Sequence, residues 1–425
     1  MSCERVFNPT LCKKPVVVLG SNDACVIARS NEAKALGIPM GAPAFECAPL
    51  FKKHNVIVYS ANFALYGDMS SRVMQTLAEF ACDIEIYSVD EAFLFVSPYT
   101  TLSSPSSASN YYLNYAYFLK HEVQRRTGIP VSIGIGPTKT LAKVAHKIAK
   151  KNPQSYGAFD ITNHPDIDAL LESIEIGDVW GIGYRYARLL QSKKIYNARQ
   201  FKYMDDRWVS KHMTIVGLKT LRELRGTSCL PLEDCPQPKQ SISVSRLFGK
   251  KTTDIRCAKE ALASYTACAA TKLRLQNSLA SHITVFALTS RYHEPQNYFR
   301  STGYALPVAT SYTPHLIAAA HRCLEELFKP GFLYKKVGIL LSDLVPADSM
   351  QMSIITDDAA LTTHKQSTII KAMDTLNARW GRDTVFFAAA GVEQSWKMYQ
   401  AKKSACFTTN WHELLTIHTN SPSKK

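Results

Sequence analysis

Residues 84–96 read IEIYSVDEAFLFV: two apolar runs, Ile84–Val89 and Ala92–Val96, with Asp90-Glu91 between them. The β-branched and aromatic content predicts strand, with a hairpin break at the acidic pair. Adjacent carboxylates in a buried strand are costly unless paired or bound to a cation. In a regular strand they would point to opposite faces. A strand end or turn lets both reach one site. On the dipeptide alone two readings stay open. One is a hairpin turn with two solvated acids. The other is a carboxylate pair for two-metal phosphoryl transfer, which needs two Mg²⁺ ions about 3.5–4 Å apart.

Outward from this stretch, 13–19 (KKPVVVL) and 54–60 (HNVIVYS) read as short buried strands. Between them Asn31 to Leu36 has helical character and stops at Gly37 with Pro39 beyond. Residues 68–82 predict a helix with Met69, Val73, Leu77 and Phe80 on one face, and 101–109 a polar, Pro-interrupted loop. A helix over 111–126, a strand at 130–135 and a basic helix at 138–151 follow. Short helices with Gly-containing turns fill 165–230, and 231–239 (PLEDCPQPK) reads as a linker. Residues 240–345 then alternate strand 241–248, helix 256–276, strand 281–289, helix 314–328 and strand 335–341, the order of a small α+β domain. A helix around 367–379 precedes a basic end.

Composition narrows the function. The chain has 425 residues, 46% hydrophobic and 20% charged, which is globular rather than disordered, collagenous or coiled-coil. Its 50 Lys+Arg against 35 Asp+Glu give +15, which favours a polyanionic partner, nucleic acid ahead of membrane. No run approaches the ~18 apolar residues of a membrane span, and the N-terminus has no secretory core. Eleven scattered cysteines without a CxxC fit reduced thiols in the cytoplasm.

Two basic segments point the same way. In 134–151 (GIGPTKTLAKVAHKIAKK), Lys139, Lys143, Lys147 and Lys150 share a helical face, and no acid occurs between Glu122 and Asp160. An unneutralised stripe suits a triphosphate or a nucleic-acid backbone; otherwise it is a solvated basic face. It is not a P-loop, because Thr138 stands where that motif needs glycine before its lysine. In 177–195 (GDVWGIGYRYARLLQSKKI), the turn Gly181–Gly183 precedes a helix carrying Arg185 and Arg188. Such a turn lets backbone N–H groups approach a phosphate, or it is an ordinary helix–helix turn.

Taken together, the chain resembles the Y-family translesion DNA polymerases, nearest to their UmuC group, the catalytic subunits of bacterial DNA polymerase V. SNDACVIARSNEAKALGIPMG resembles the fingers motif, YSVDEAF the palm carboxylate motif, and GIGPTKTLAKVAHKIAKK the palm's phosphate-contacting helix. DVWGIG resembles the thumb helix-hairpin-helix, and MDTLNARWGRDTVFFAAAG the UmuC-type tail. The resemblance implies a multidomain α+β right hand: fingers 1–66, palm 67–160, thumb 161–230, linker 231–239, little finger 240–345 and tail 346–425. It implies that Asp90 bridges two Mg²⁺ ions and Glu91 supports the metal at the primer 3′-hydroxyl. Lys34 and Lys150 would lie against the dNTP triphosphate. Lys139, Lys143, Lys147, Gly181, Gly183, Arg185 and Arg188 would meet DNA. Implied partners are damaged primer–template DNA, a UmuD-like dimer, a recombinase filament and a sliding clamp, in an SOS response.

Two departures stand out. The family begins with a strand resembling D-x-N-x-F-Y, bearing a further metal-binding Asp and a tyrosine steric gate. This chain opens at MSCERVF, so the resemblance implies that the ligand, the gate and the first palm strand are missing; neither Glu4 nor Asp23 matches that Asp. The expectation is then either a shortened start or a catalytically impaired, DNA-binding relative. The clamp peptide, resembling Gln-Leu-x-Leu-Phe in the family, is Gln351-Met352-Ser353-Ile354-Ile355 here. It lacks the terminal aromatic anchor, so clamp binding should be weak.

Overall fold

The computed structural model describes residues 1–96, 105–233, 237–290, 298–349 and 359–416. Contacts divide the chain into two units, one of 1–13, 62–236 and 404–425, the other of 14–61 and 237–403. These cut differently from the linear order of domains. Residues 1–13 and 62–66 group with the palm segment rather than with the rest of 1–66, and the tail divides at 403/404.

In the first unit, Asp83–Ile86 and Ala92–Phe95 form an antiparallel hairpin, with Asp83 opposite Phe95 and Ile86 opposite Ala92. Asp90 and Glu91 sit in its connection, as the break in the apolar run predicts. The helix Phe63–Ala78 starts five residues before the expected 68 because the Asn62 side chain caps it, accepting from the Leu65 N–H. It buries Met69 and Val73, while Leu77 is only half-buried. The next helix, Pro105–Thr127, runs through part of the expected loop; proline is well suited to a first helical position, where no N–H is needed.

Strands Ile133–Ile135 and Ala158–Asp160 pair in parallel, and the helix Lys139–Lys151 crosses between them. Gly134 is needed for that crossing: a Cβ there would lie 2.0 Å from the His146 backbone N. The glycines of GIGPTKT thus serve close helix–strand packing. Leu141, Val144 and Ala145 of this helix enter one core with Leu171, Leu190, Phe201, Met213 and Leu221. Those residues come from the helices Ile167–Glu172, Tyr184–Ser192, Ala198–Lys202 and Asp206–Leu224.

In the second unit, a three-stranded sheet sets Val16–Leu19 between antiparallel Val26–Arg29 and parallel Ile57–Ser60. A four-stranded antiparallel sheet runs Phe299–Thr310, Ser278–Thr289, Tyr334–Pro346, Ile242–Thr252. The helices Ile255–Leu275 and Thr313–Leu327 share its core, in which Leu262, Ile283, Val285, Leu316, Leu324, Ile339 and Leu341 are buried. Phe299–Thr310 was not expected as a strand. It is an edge strand with no fully buried residue: Tyr304 and Leu306 pack partly against the core, and Pro307 and a register shift after Ala305 cut its apolar alternation short.

The tail helix, Ala359–Trp380, is longer than the expected 367–379. Beyond it the chain is largely irregular but anchored. Trp396 is buried edge-on against Tyr265, with ring centroids 5.6 Å apart. The Ser60 N–H donates to the Lys402 carbonyl at 3.0 Å, extending the edge of the three-stranded sheet. In the first unit the Asn62 amide donates to the Ser404 carbonyl at 3.0 Å, and Phe407 stacks on Phe7. No helix among the described residues is long and apolar enough to cross a membrane, and the ten described cysteines are free.

Candidate functional site

The hairpin turn brings both carboxylates to the surface of the first unit. The Glu91 carbonyl accepts the N–H groups of Tyr87 and Ser88 at 3.1 and 3.0 Å, which closes the turn. Asp90 is exposed; its Oδ1 accepts from the Ser88 hydroxyl at 2.7 Å. Glu91 Oε2 faces Lys143 Nζ at 3.0 Å.

That ion pair corrects the reading of an unneutralised stripe. Lys139 pairs with Glu85 and also donates to the Pro231 carbonyl at 2.8 Å; Lys147 pairs with Asp178. The side chains of Lys139, Lys143 and Lys147 are only 11%, 14% and 20% exposed. The acids come from elsewhere in the fold, so the local absence of acids on the helix gave no sign of them. Lys150, a turn further on, is exposed and forms no ion pair among the described residues. His146, on the same helix, is pushed below its ordinary value by burial and then by Lys150 and Lys143, so it adds no charge near neutral pH.

Aromatic rings complete the setting. Lys143 Nζ lies 5.5 Å from the Tyr87 ring centroid and 4.9 Å from that of Phe93. Trp180 meets both rings edge-on, at 5.6 and 5.5 Å. It stands in DVWGIG beside the hairpin glycines, and nothing in its sequence position marks it as a neighbour of the carboxylates.

The turn Gly181–Gly183 leads into the helix Tyr184–Ser192. Gly181 has φ +88°, and a Cβ there would meet Thr220 Oγ1 at 2.8 Å, so a side chain is excluded twice over. Gly183 is the helix N-cap with no side-chain cap, and the space around it is open. Helix N-terminal N–H groups left in this way suit an anion. Arg185 and Arg188 are both exposed.

The opposite end of the basic helix is held by a residue that the sequence did not single out. Glu223 is fully buried, and its Oε2 accepts from the Thr140 N–H at 2.9 Å and the Thr140 hydroxyl at 3.0 Å. Its Oε1 accepts the N–H groups of Cys229 and Leu230 at 3.0 and 3.1 Å. A carboxylate at a helix N-terminus is stabilised by the helix dipole.

Lys34 is exposed on the helix Asn31–Ala35 of the second unit. Asp23, also in that unit, accepts from the Ala401 N–H at 3.2 Å. Glu4 is buried and accepts from the Tyr66 hydroxyl at 2.5 Å and the Ser404 hydroxyl at 3.0 Å. Burial, then that bond to Glu4, pushes the Tyr66 phenol well up. Gln351, Ile354 and Ile355 lie outside the described residues.

Among the described residues no group of three or more His, Cys, Asp or Glu side chains could hold a metal ion. Asp90 and Glu91 nevertheless supply the donors that suit Mg²⁺, hard carboxylate oxygens within reach of solvent. Mg²⁺ is commonly held by one or two carboxylates, with water and substrate phosphates completing the shell.

Comparison with known proteins gives one family for two stretches of the chain. The model described as "impB/mucB/samB family" matches residues 1–147, and that of its C-terminal domain matches 239–354. A domain of unknown function (DUF4113) matches 367–417. The protein UmuC of Salmonella typhimurium strain LT2 is 37% identical over 418 residues, 98% of this chain and 97% of its own. ImpB of Salmonella typhimurium is 36% identical, over 97% of this chain and 96% of its own. A DNA polymerase IV of Moorella thermoacetica is 25% identical, over 92% and 93%. Among solved structures, a Y-family DNA polymerase chimera superposes with TM-score 0.62 at 23% identity, covering 81% of this chain and 96% of that one. An insertion ternary complex of the Dbh DNA polymerase gives 0.52 at 23%, covering 81% and 95%. These two likenesses show the fold alone, the multidomain α+β fold that Y-family polymerases share.

Proposed function

The chain belongs to the impB/mucB/samB family, and from that premise we propose that it is an error-prone, template-directed DNA polymerase that copies past lesions in the SOS response. The observation that carries this reading is the Asp90–Glu91 pair, presented at an open turn beside a lysine-bearing helix in a chain with this fold. Asp90 and Glu91 would hold two Mg²⁺ ions, which would supply charge stabilisation of the attacking and leaving oxygens in transfer of a dNTP α-phosphate to the primer 3′-hydroxyl.

The chain's own residues orient the rest. Ser88 fixes one Asp90 oxygen and leaves the other free. Lys143 fixes Glu91. Lys150 receives the triphosphate as a point charge, and Lys34, in the second unit, is given the same role through the family alone. The N-terminus of helix Tyr184–Ser192, with Arg185 and Arg188, holds the DNA backbone without reading sequence. Lys139, Lys143 and Lys147 serve chiefly to place acids of the site, and they contact DNA only where their ion pairs leave donors over. The UmuD-like dimer, the recombinase filament and a weakened clamp contact remain part of the proposal through the family alone.

The test is primer extension across an abasic site. Asp90→Ala should lower extension by 10³-fold or more while DNA binding persists. Extension by Asp90→Ala at the wild-type rate would refute the site. Salt-sensitive DNA binding with no Mg²⁺-dependent synthesis by the wild-type chain would leave the non-polymerising, DNA-binding reading in its place.

A further inference from the structure

We propose that Trp180 couples DNA binding at the Gly181–Gly183 turn to the divalent-metal affinity of Asp90 and Glu91, acting through Lys143 as a positioning residue. The inference deepens the polymerase reading and rests on it.

Three observations join the two places. First, Lys143 reaches Glu91 from inside an aromatic box. Its ammonium lies over Phe93 and Tyr87, at 4.9 and 5.5 Å, and is mostly shielded from water. A cation held by ring faces and one carboxylate has few other positions of comparable energy, so the rings set where Glu91 stands. Second, Trp180 closes the box from the hairpin side by touching both rings. Third, the hairpin loop has little room to move without Trp180. Gly181 is seated against Thr220, and Asp178, two residues before Trp180, pairs with Lys147 one turn along from Lys143. A phosphate drawn onto the open N-terminus at Gly183 acts on a loop held by Val179 and Ile182 in the core, by Gly181 against Thr220 and by Trp180 in the box, and Trp180 carries the effect to the carboxylate hairpin. Displacement of Trp180 alters the hold on Lys143, and with it the competition between the ammonium and a divalent cation for Glu91.

Coupling of this kind is reciprocal and measurable without turnover. Mn²⁺ is used as the probe, with free ion followed by electron paramagnetic resonance, on the full chain with and without saturating primer–template DNA and with no dNTP. The Asp90→Ala variant with DNA serves as the baseline for Mn²⁺ held by the DNA itself. In the wild type, DNA should change the Asp90-dependent Mn²⁺ affinity by five-fold or more. Trp180→Leu, which stays apolar but removes the ring, should bring that factor to within two-fold of one. Trp180→Phe, which keeps an aromatic edge for Tyr87 and Phe93, should retain most of it. Tyr87→Leu, at a half-exposed position where folding is little at risk, should act as Trp180→Leu does.

A wild-type factor of one overturns the coupling, and so does a wild-type factor retained in both leucine variants. Either result leaves an Asp90-dependent metal site intact, so the polymerase reading survives. Absence of any Mn²⁺ site removed by Asp90→Ala overturns both.

Discussion

At Glu223 one buried carboxylate accepts four hydrogen bonds from two chain segments 83 and 6–7 residues away in sequence. Glu223→Ala leaves four donors, three of them backbone N–H groups, without their partner, and should cost about 3 kcal/mol or more. Glu223→Gln keeps the shape and part of the bonding and should cost about half as much. Urea unfolding of both variants measures the difference. Glu122 provides the pH counterpart. The Arg125 guanidinium, and then that of Arg126, bring its carboxyl down from 4.5 to about 2. A depressed folded-state value contributes stability that is present above the ordinary carboxylate range and is lost as pH falls towards 2. Glu122→Gln should therefore flatten the loss of stability between pH 4.5 and 2, as read from thermal midpoints across that range.

The helix Lys139–Lys151 shows what an element can and cannot reveal through its own residues. Its period was legible, since the lysines share a face; the structure adds the cap, in which Thr138 accepts from the Leu141 N–H. Its charge state was not legible, because its counter-ions lie on the hairpin and on the loop before Trp180. The seat of the helix is equally specific. Gly134→Ala would drive a methyl into the backbone of His146 and Ala142, where no side chain can give way. It should cost about 3 kcal/mol and reduce soluble yield, whereas Gly37→Ala, at a turn with open space but φ +79°, should cost only about 1 kcal/mol. Denaturant midpoints of the two proteins check the contrast. The hairpin carries a separate expectation. Arg185 and Arg188 are exposed beside an uncapped helix N-terminus, so replacing both by Ala should reduce the salt slope of DNA affinity by about two. Titrations from 50 to 200 mM salt measure it.

Across the whole molecule the tail belongs to both contact-defined units. Trp396 completes the core around Tyr265, and Gly249 is kept bare because a Cβ there would meet the Lys397 carbonyl at 2.1 Å. Further on, Ser404 and Phe407 close over Glu4, Asn62 and Phe7. Trp396→Ala should cost about 3–5 kcal/mol. A chain ending at Gly391 should show a lower thermal midpoint and faster proteolytic cleavage around residues 57–66, where it loses partners in each unit. Cleavage there at the full-length rate would show that the tail stabilises neither.

The sequence by itself determined part of the order of strands and helices, the acidic turn at Asp90-Glu91, the basic helix, the glycine hairpin and, through the series of motifs, the family. Those features are written in neighbouring residues, as side-chain period, caps and breakers. Only the tertiary structure decided that three of the four lysines are already neutralised, that Trp180 touches the carboxylate hairpin, that Glu223 holds the basic helix, and that an unpatterned edge strand completes the second sheet. The reason is physical. An ion pair or a ring contact depends on a distance in space, and Lys139 meets Glu85 across 54 residues of chain. The edge strand turns only Tyr304 and Leu306, both partly buried, to its core before Pro307 interrupts it, too short an apolar alternation to be read.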